Sequence, residues 1–445
     1  MKVVIIGGGS FTWSFGFVRQ FVNSSFKDLT VVLMDINKES LQMVASACQI
    51  YNQQCGNPIK IESTMDINSA REDGDYVIVS ISTGGLDTMR ADIEIPEKYG
   101  IWHTVGDTVG PGGWSRAVRN IPVFDDIAAK MKKYCPNAWL INVSNPLTVL
   151  TRVPHRNYGI KTIGMCPGVE NQAKTFAEAA GLPSDAKLDF VNSGIDHHSY
   201  FISLYANGID VLKLLKDKGY CRADGVLPAE IETKDPLAEN TINRVIFAIW
   251  NELGFLPSIS DRHAVENYPN FIVNDTGKLS FNIKRTSIAD RKQLYAKAKQ
   301  AISDFINSNG KNGLGSLGHG DDPVVRVIEA LSGKGSFLWC SNYKNIGQIE
   351  GLPENAVVET RCLFDSAGVH PLALPMPDTL KAVVLPHVLR QEAIIDIALT
   401  GSFKELVAIV MSDPLCCRLK PGQVSEMIQE MLLANKQYIK NSHLF

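Results

Sequence analysis

Val3-Val4-Ile5-Ile6-Gly7-Gly8-Gly9-Ser10 is the stretch on which the reading of the fold turns. Four apolar residues in a row describe a strand buried on both faces, as in a parallel sheet. The glycines then break the strand. An apolar-rich segment, Phe11 to Val22, has the composition of a helix, and Leu29-Thr30-Val31-Val32-Leu33-Met34 is a second strand ending on Asp35. Strand, glycine turn, helix, strand and acid, in that order, form the layout of a dinucleotide-binding unit. Gly7 allows the tight turn, and Gly9 lets backbone approach a pyrophosphate. The following helix offers unpaired N–H groups and its positive end to that anion. Asp35 would accept hydrogen bonds from the ribose hydroxyls, which favours NAD over NADP. The usual third glycine is missing, since position 12 is Thr. Without a ligand the same pattern would be only a tight strand-to-helix turn.

Outward from that unit the chain keeps alternating. A helix is expected over Lys38 to Gln54, and strands over Ile59 to Ile61 and Asp75 to Ile81. The second of these ends in Ser82-Thr83-Gly84-Gly85, a turn at the carboxyl end of a parallel strand, where ligands gather. Val105 to Gly113 is dense in glycine and reads as a loop that lets backbone approach a ligand, or as a plain surface loop. Val118 to Lys132 is helical in pattern. Ala138 to Val143 is a strand closing on Ser144-Asn145-Pro146, where proline forces a turn and directs the Asn145 amide at the sheet edge. Lys161 to Cys166 is another strand, followed by Pro167 and a helix, Val169 to Ala180. With it the doubly wound sheet is complete. The fold class is therefore α/β, with a Rossmann-like domain over residues 1–183 and an α+β substrate and oligomerisation domain over 184–445.

That second half opens with two antiparallel strands, Leu188 to Ser193 and Ser199 to Ala206. Helical sequence follows over Pro228 to Leu253, interrupted at Pro236. Further helices are expected at Ile288 to Ser308, Pro323 to Ser332, Leu380 to Thr400, Phe403 to Met411 and Pro421 to Gln437. Ala356 to Thr360 reads as a strand.

Composition narrows the function. The 445 residues suffice for two large domains. Apolar content of 45%, charged content of 20% and a net charge of −3 are ordinary for a globular protein and give no basic surface for nucleic acid. No apolar run reaches the roughly 20 residues of a membrane helix. The first strand leaves no room for a signal peptide, and nine scattered cysteines then read as reduced thiols in a cytoplasm.

Three further places carry chemistry. Cys166 lies where a strand gives way to a helix, with Pro167 at the expected first helical position; a thiol there is easily deprotonated and suits a nucleophile or soft metal ligand, the alternative being a buried structural cysteine. His197 and His198 follow Gly194-Ile195-Asp196, and on extended chain only one of the two can face a cleft. Asp261-Arg262-His263-Ala264-Val265-Glu266 could hold a general base, or be a helix start with Asp261 as its cap.

Together these motifs resemble the NAD- and divalent-metal-dependent glycosidases of glycoside hydrolase family 4. The matching stretches are Gly7-Gly8-Gly9-Ser10, Gly106 to Gly113, Ser144-Asn145-Pro146, Gly164-Met165-Cys166 and Gly194-Ile195-Asp196-His197. Later matches are Val357 to Thr360, Gly368 to Leu372, Ala398 to Gly401 and Asp413-Pro414-Leu415. The resemblance implies cofactor contacts from Gly7, Gly9, Ser10, Phe11, Asp35, Thr83 and Asn145, and a metal, usually manganese (Mn2+), on Cys166 and His197. It implies substrate contacts from Arg90, Asn145 and Asp196, and it makes Asp261, Asp107 and Tyr268 the catalytic candidates. The implied reaction is oxidation of the sugar at C3, loss of the C2 proton to a base, elimination of the aglycone, addition of water and re-reduction. That differs from the usual two-carboxylate hydrolysis.

Two departures bear on substrate. Pro167 stands where a polar side chain usually follows the cysteine, and Asp196 stands where Asn is common. The wording from Val105 to Gly113 is nearest the branch that cleaves α-galacturonides, so a non-phosphorylated hexoside or hexuronide is expected. The alternatives are an NAD-dependent dehydrogenase of a sugar acid or hydroxy acid, and a non-catalytic NAD-binding regulator. A homodimer or homotetramer is expected.

Overall fold

Along the first strand, Val3 and Ile5 pack into one apolar core and Val4 and Ile6 into another, all at most 4% exposed. The run is continuous because both faces of the strand are covered. In the computed structural model, which describes residues 1–225, 244–272, 281, 283, 285–312 and 323–445, this strand is β1 (Lys2–Ile6). β2 (Thr30–Met34) and β4 (Tyr76–Val79) flank it in parallel, and β3 (Lys60–Thr64) pairs beyond β2. β5 (Trp139–Asn142) and β6 (Lys161–Gly164) continue on the other side, also parallel. The spatial order β3-β2-β1-β4-β5-β6 is that of a doubly wound dinucleotide fold, with its crevice at the carboxyl ends of β1 and β4.

The sheet does not stop at β6, which corrects the expectation that it is complete there. β7 (Leu188–Ile195) and β8 (His198–Ala206) form an antiparallel hairpin, with β9 (Ile209–Asp210) and β10 (Leu256–Pro257) paired to β8. β11 (Phe337–Lys344), β12 (Val357–Asp365) and β13 (Gly368–Pro371) follow. β12 lies between β7 and β11, and β11 meets β6 through the pair Asn342 and Gly164. Among the described residues one sheet thus runs through both halves of the chain.

Helix Lys38–Gln54 has the expected bounds, its start capped by the Asn37 side chain on the Ser40 amide. The first helix begins at Ser14 rather than Phe11. Residues 11–13 are instead a turn, spanned by the Ser14 amide on the Ser10 carbonyl at 3.2 Å. The largest difference is the helix Gly110–Tyr134, which takes in half of the glycine-rich run expected as a loop. These glycines serve close packing: a Cβ on Gly113 would lie 2.4 Å from the Thr108 carbonyl carbon, and one on Gly112 2.9 Å from the Asp92 carbonyl oxygen. Helices Gly85–Glu97 and Leu147–Tyr158 and strand β11 had no expectation. Of the helix expected over 228–253, Val245–Leu253 is observed, and 228–243 lies outside the described residues. No helix of the described residues is long and apolar enough to cross a membrane.

Candidate active site

The nucleotide end is built by β1, β2 and their turn. Gly7 has φ +91°, and a Cβ there would fall 1.9 Å from the Ser80 carbonyl oxygen, so only glycine fits. Gly9 donates its amide to Asp35 Oδ2 (2.8 Å), while Asn37 donates to Oδ1 (2.9 Å). Ser10 turns inward, its Oγ accepting from the Trp13 amide at 3.3 Å. Beyond β4, Thr83 gives both its amide and hydroxyl to Asn120 Oδ1 (3.2 and 2.8 Å). Phe11 is placed differently from its neighbours. Its ring is buried edge-on against Tyr295, so only its backbone is left to face a cofactor.

A second set of groups stands at the carboxyl ends of β5 and β6. Asn145, joined to Pro146 by a cis peptide bond, donates Nδ2 to Asp107 Oδ2 (3.1 Å), and its carbonyl accepts from Arg116 Nε (2.9 Å). Cys166 follows β6 by two residues, and Gly168 donates its amide to Sγ (3.3 Å). Pro167 is the capping residue of helix Gly168–Ala179 rather than its first helical position. His197 comes from the β7–β8 turn, where its backbone is left-handed (φ +61°). Its Nε2 lies 3.8 Å from Cys166 Sγ and 3.6 Å from Asp196 Oδ2. Its Nδ1 lies 2.9 Å from Thr108 Oγ1, which also donates to Asp107 Oδ1 (2.8 Å). The His263 ring packs on the His197 ring with centroids 3.8 Å apart.

Among the described residues, two groups of potential ligand atoms share His197: Cys166 with Asp196, and Asp107 with His263, each set lying within 4.8 Å. Their electrostatics differ. Burial alone would raise the Asp107 carboxyl, but the charges of His263, Arg116, His197 and Arg291 outweigh it and hold Asp107 far below the usual range. Its two oxygens already accept from Thr108 and Asn145. Asp196 is the reverse case. Burial pushes it up, and the negative charge of Asp107 adds to the push. Neither of its oxygens has a hydrogen bond of ordinary geometry. Glu359, also buried and also raised, accepts from Ser199 Oγ (2.6 Å) and Asn342 Nδ2 (3.1 Å). A thiol, an imidazole nitrogen and a buried carboxylate suit a divalent cation, whose charge would offset the cost of burying the acid.

The other expected site residues are placed elsewhere. The buried Asp261 carboxylate accepts from the Arg244 and Ile246 amides (2.7 and 3.0 Å), holding the start of helix Val245–Leu253. It does not cap its own helix, where that position belongs to Ser260. Tyr268 hydrogen-bonds the Tyr200 hydroxyl and stands edge-on to His198, and burial raises its phenol further from ionisation. Arg90 pairs at 3.7 Å with Asp87 on helix Gly85–Glu97 and is half exposed. The sequence reading passed over His263, Thr108 and Arg116. His263 was inside the ionisable stretch already quoted and Thr108 inside the glycine motif, whereas Arg116 carried no signal.

Residues 2–182 match the family model described as "Family 4 glycosyl hydrolase", and residues 192–416 match its C-terminal domain. An alpha-galacturonidase of Bacillus subtilis (strain 168) is 30% identical, over 97% of this chain and 97% of its own length. A solved Bacillus subtilis structure described as a glucosidase superposes with a TM-score of 0.87 at 29% identity, covering 97% of this chain and 99% of that one. A 6-phospho-alpha-glucosidase from gut microorganisms, solved in complex with NAD and Mn2+, superposes with a TM-score of 0.82 at 21% identity, covering 99% of each chain. With both family models matched in sequence order over most of its length, this chain belongs to the family 4 glycosyl hydrolases and is a glycosidase.

Proposed function

We propose that this glycosidase cleaves an α-galacturonide, or a closely related hexuronide, with NAD and Mn2+ as cofactors. The observation that carries the reading is the meeting of two sites on one sheet edge. The glycine turn after β1, Asn145 after β5 and the Cys166–Asp196–His197 trio all lie at carboxyl ends of neighbouring strands or the turn beside them. The whole-length similarity to an alpha-galacturonidase supports the substrate class.

Gly7, Gly9, Ser10, the Phe11 backbone, Asp35 and Thr83 would hold NAD, and Cys166, Asp196 and His197 the metal. When bound, the cofactor exchanges a hydride with the sugar and the cation stabilises negative charge on sugar oxygens. Asn145 would orient the sugar between the two. Its own position is fixed from both ends, by Asp107 and Arg116. His263 is the group we assign to taking a proton, with Asp107 beside it to stabilise the cationic ring. Asp196 would serve the metal rather than the substrate, and Arg90 would reach substrate only by leaving Asp87.

Residues 1–183 are the cofactor-binding portion in this reading and 184–445 the substrate portion. A cytoplasmic location is supported by nine cysteines, none of them in a disulfide among the described residues. A homodimer or homotetramer is part of the same proposal.

The test is hydrolysis of nitrophenyl α-galacturonide with NAD, Mn2+ and a thiol reductant. Release of nitrophenol that needs both cofactors is the expected result. Steady accumulation of NADH with no aglycone release would mean a dehydrogenase on this scaffold instead.

A further inference from the structure

We propose that Thr108 is a positioning residue that fixes the tautomer of His197, placing the proton on Nδ1 and presenting the bare Nε2 to the metal. The inference rests on the reading of Cys166, Asp196 and His197 as the metal-binding trio.

The argument is a proton count. Thr108 Oγ1 lies within hydrogen-bond distance of two groups, Asp107 Oδ1 at 2.8 Å and His197 Nδ1 at 2.9 Å. A hydroxyl has one proton to give and two lone pairs to offer. The Thr108 hydroxyl donates to Asp107 Oδ1, and a carboxylate, whose other oxygen here takes the Asn145 amide, can only accept. The Thr108 proton therefore goes to Asp107. Toward His197, Oγ1 then presents a lone pair, so the proton between them belongs to Nδ1. Nε2 is left with its lone pair exposed, and Nε2 is the atom that faces Cys166 Sγ and Asp196 Oδ2. A carboxylate, a hydroxyl and an imidazole in series orient a ligand as a direct carboxylate partner does in other metal sites.

The surrounding backbone makes this arrangement rigid. Thr108 is 2% exposed, and its carbonyl is pressed against Gly113 so closely that any side chain there would collide with it. The glycines of the first helical turn thus lock the loop that carries Thr108. On the other side, Asn267 Nδ2 holds the His197 carbonyl at 3.1 Å. Thr108 thus holds the ring at Nδ1 and Asn267 holds the backbone that carries it, with Nε2 toward Cys166 Sγ and Asp196 Oδ2.

The experiment uses full-length protein with 15N-labelled histidine, first without metal. Wild type is expected to show His197 protonated on Nδ1 and unprotonated on Nε2. Thr108→Val, which keeps the shape and removes the hydroxyl, should lose that single tautomer. It should also bind Co2+ and Mn2+ about 10- to 100-fold more weakly, while NAD binding and melting temperature stay near wild type. Thr108→Ser should restore both the tautomer and the affinity. A wild-type His197 carrying its proton on Nε2 would overturn the proposal without any variant being needed. So would a Thr108→Val protein that binds Co2+ as tightly as wild type. Failure of the underlying reading looks different: wild type would then show no thiolate-to-Co2+ absorption band that depends on Cys166.

Discussion

The amide of Gly9 and the carboxylate of Asp35 are joined by a 2.8 Å hydrogen bond across the first strand turn. The acid at the end of β2 thus shapes the glycine loop itself. Asp35→Ala removes the acceptor for two backbone amides, those of Gly9 and Asn37. It should weaken NAD binding by roughly 1–3 kcal/mol, the cost of leaving such groups unpaired. Wild type should bind NADP at least about 10-fold more weakly than NAD, because a 2′-phosphate would meet a carboxylate. Fluorescence titration of both cofactors reads this, and equal affinities would remove Asp35 from the ribose site.

Asp261 offers a clean test between base and cap. As a cap, Asp261→Ala should destabilise the fold by about 1–2 kcal/mol, while Asp261→Asn should keep most of the glycosidase activity. A loss of activity beyond about 100-fold in a folded Asn variant would return Asp261 to the base role.

The same residue gives a pH signature. Burial pushes its carboxyl up from 3.8 to about 7. A raised folded value means the folded state holds the proton longer than the unfolded one. Asp261 therefore contributes stability that is complete below about pH 4 and is lost as pH rises to about 7. Wild-type unfolding free energy should fall relative to Asp261→Asn across that window and run parallel above it. Denaturant unfolding at a series of pH values checks the sign, and a difference that grows the other way would contradict it.

Cys166→Ser should lose metal-dependent turnover and leave NAD affinity nearly unchanged. Serine can still accept from the Gly168 amide but is a poor ligand for a soft site. Chelator treatment of wild type should have the same effect and be reversed by Mn2+. Full activity of the variant in the presence of chelator would make Cys166 a structural thiol.

Turnover in heavy water should place deuterium at C2 of the product, because the proposed route removes that proton. NADH absorbance should not build up, since the hydride returns to the sugar. An unlabelled C2 would mean direct displacement at C1.

Much of this was legible in the sequence because local pattern and final fold agree there. The buried run Val3 to Ile6, the Gly7 turn and the acid at 35 need each other, and all are close in sequence. Cys166 and His197 were legible through the motifs they end. What was hidden depended on distant contacts. Gly110 to Gly113 look like loop because glycine is a poor helix former, yet the Thr108 and Asp92 backbones approach too closely for any side chain. Asp261 looks like a free acid until the start of helix Val245–Leu253 is brought to it. β11 becomes a strand by pairing along its whole length with β12. His263 matters only because the fold lays it on His197.

The continuous sheet has a consequence for protein engineering. The antiparallel strands complete the border of the parallel ones, with Asn342 of β11 bonded against Gly164 of β6. A fragment cut near residue 183 would leave β6 as a bare margin of unpaired amides and carbonyls, a template for self-association. The cofactor-binding half is thus not a portable module. Recombining it with the C-terminal half of another relative would have to preserve that seam as well as the catalytic groups.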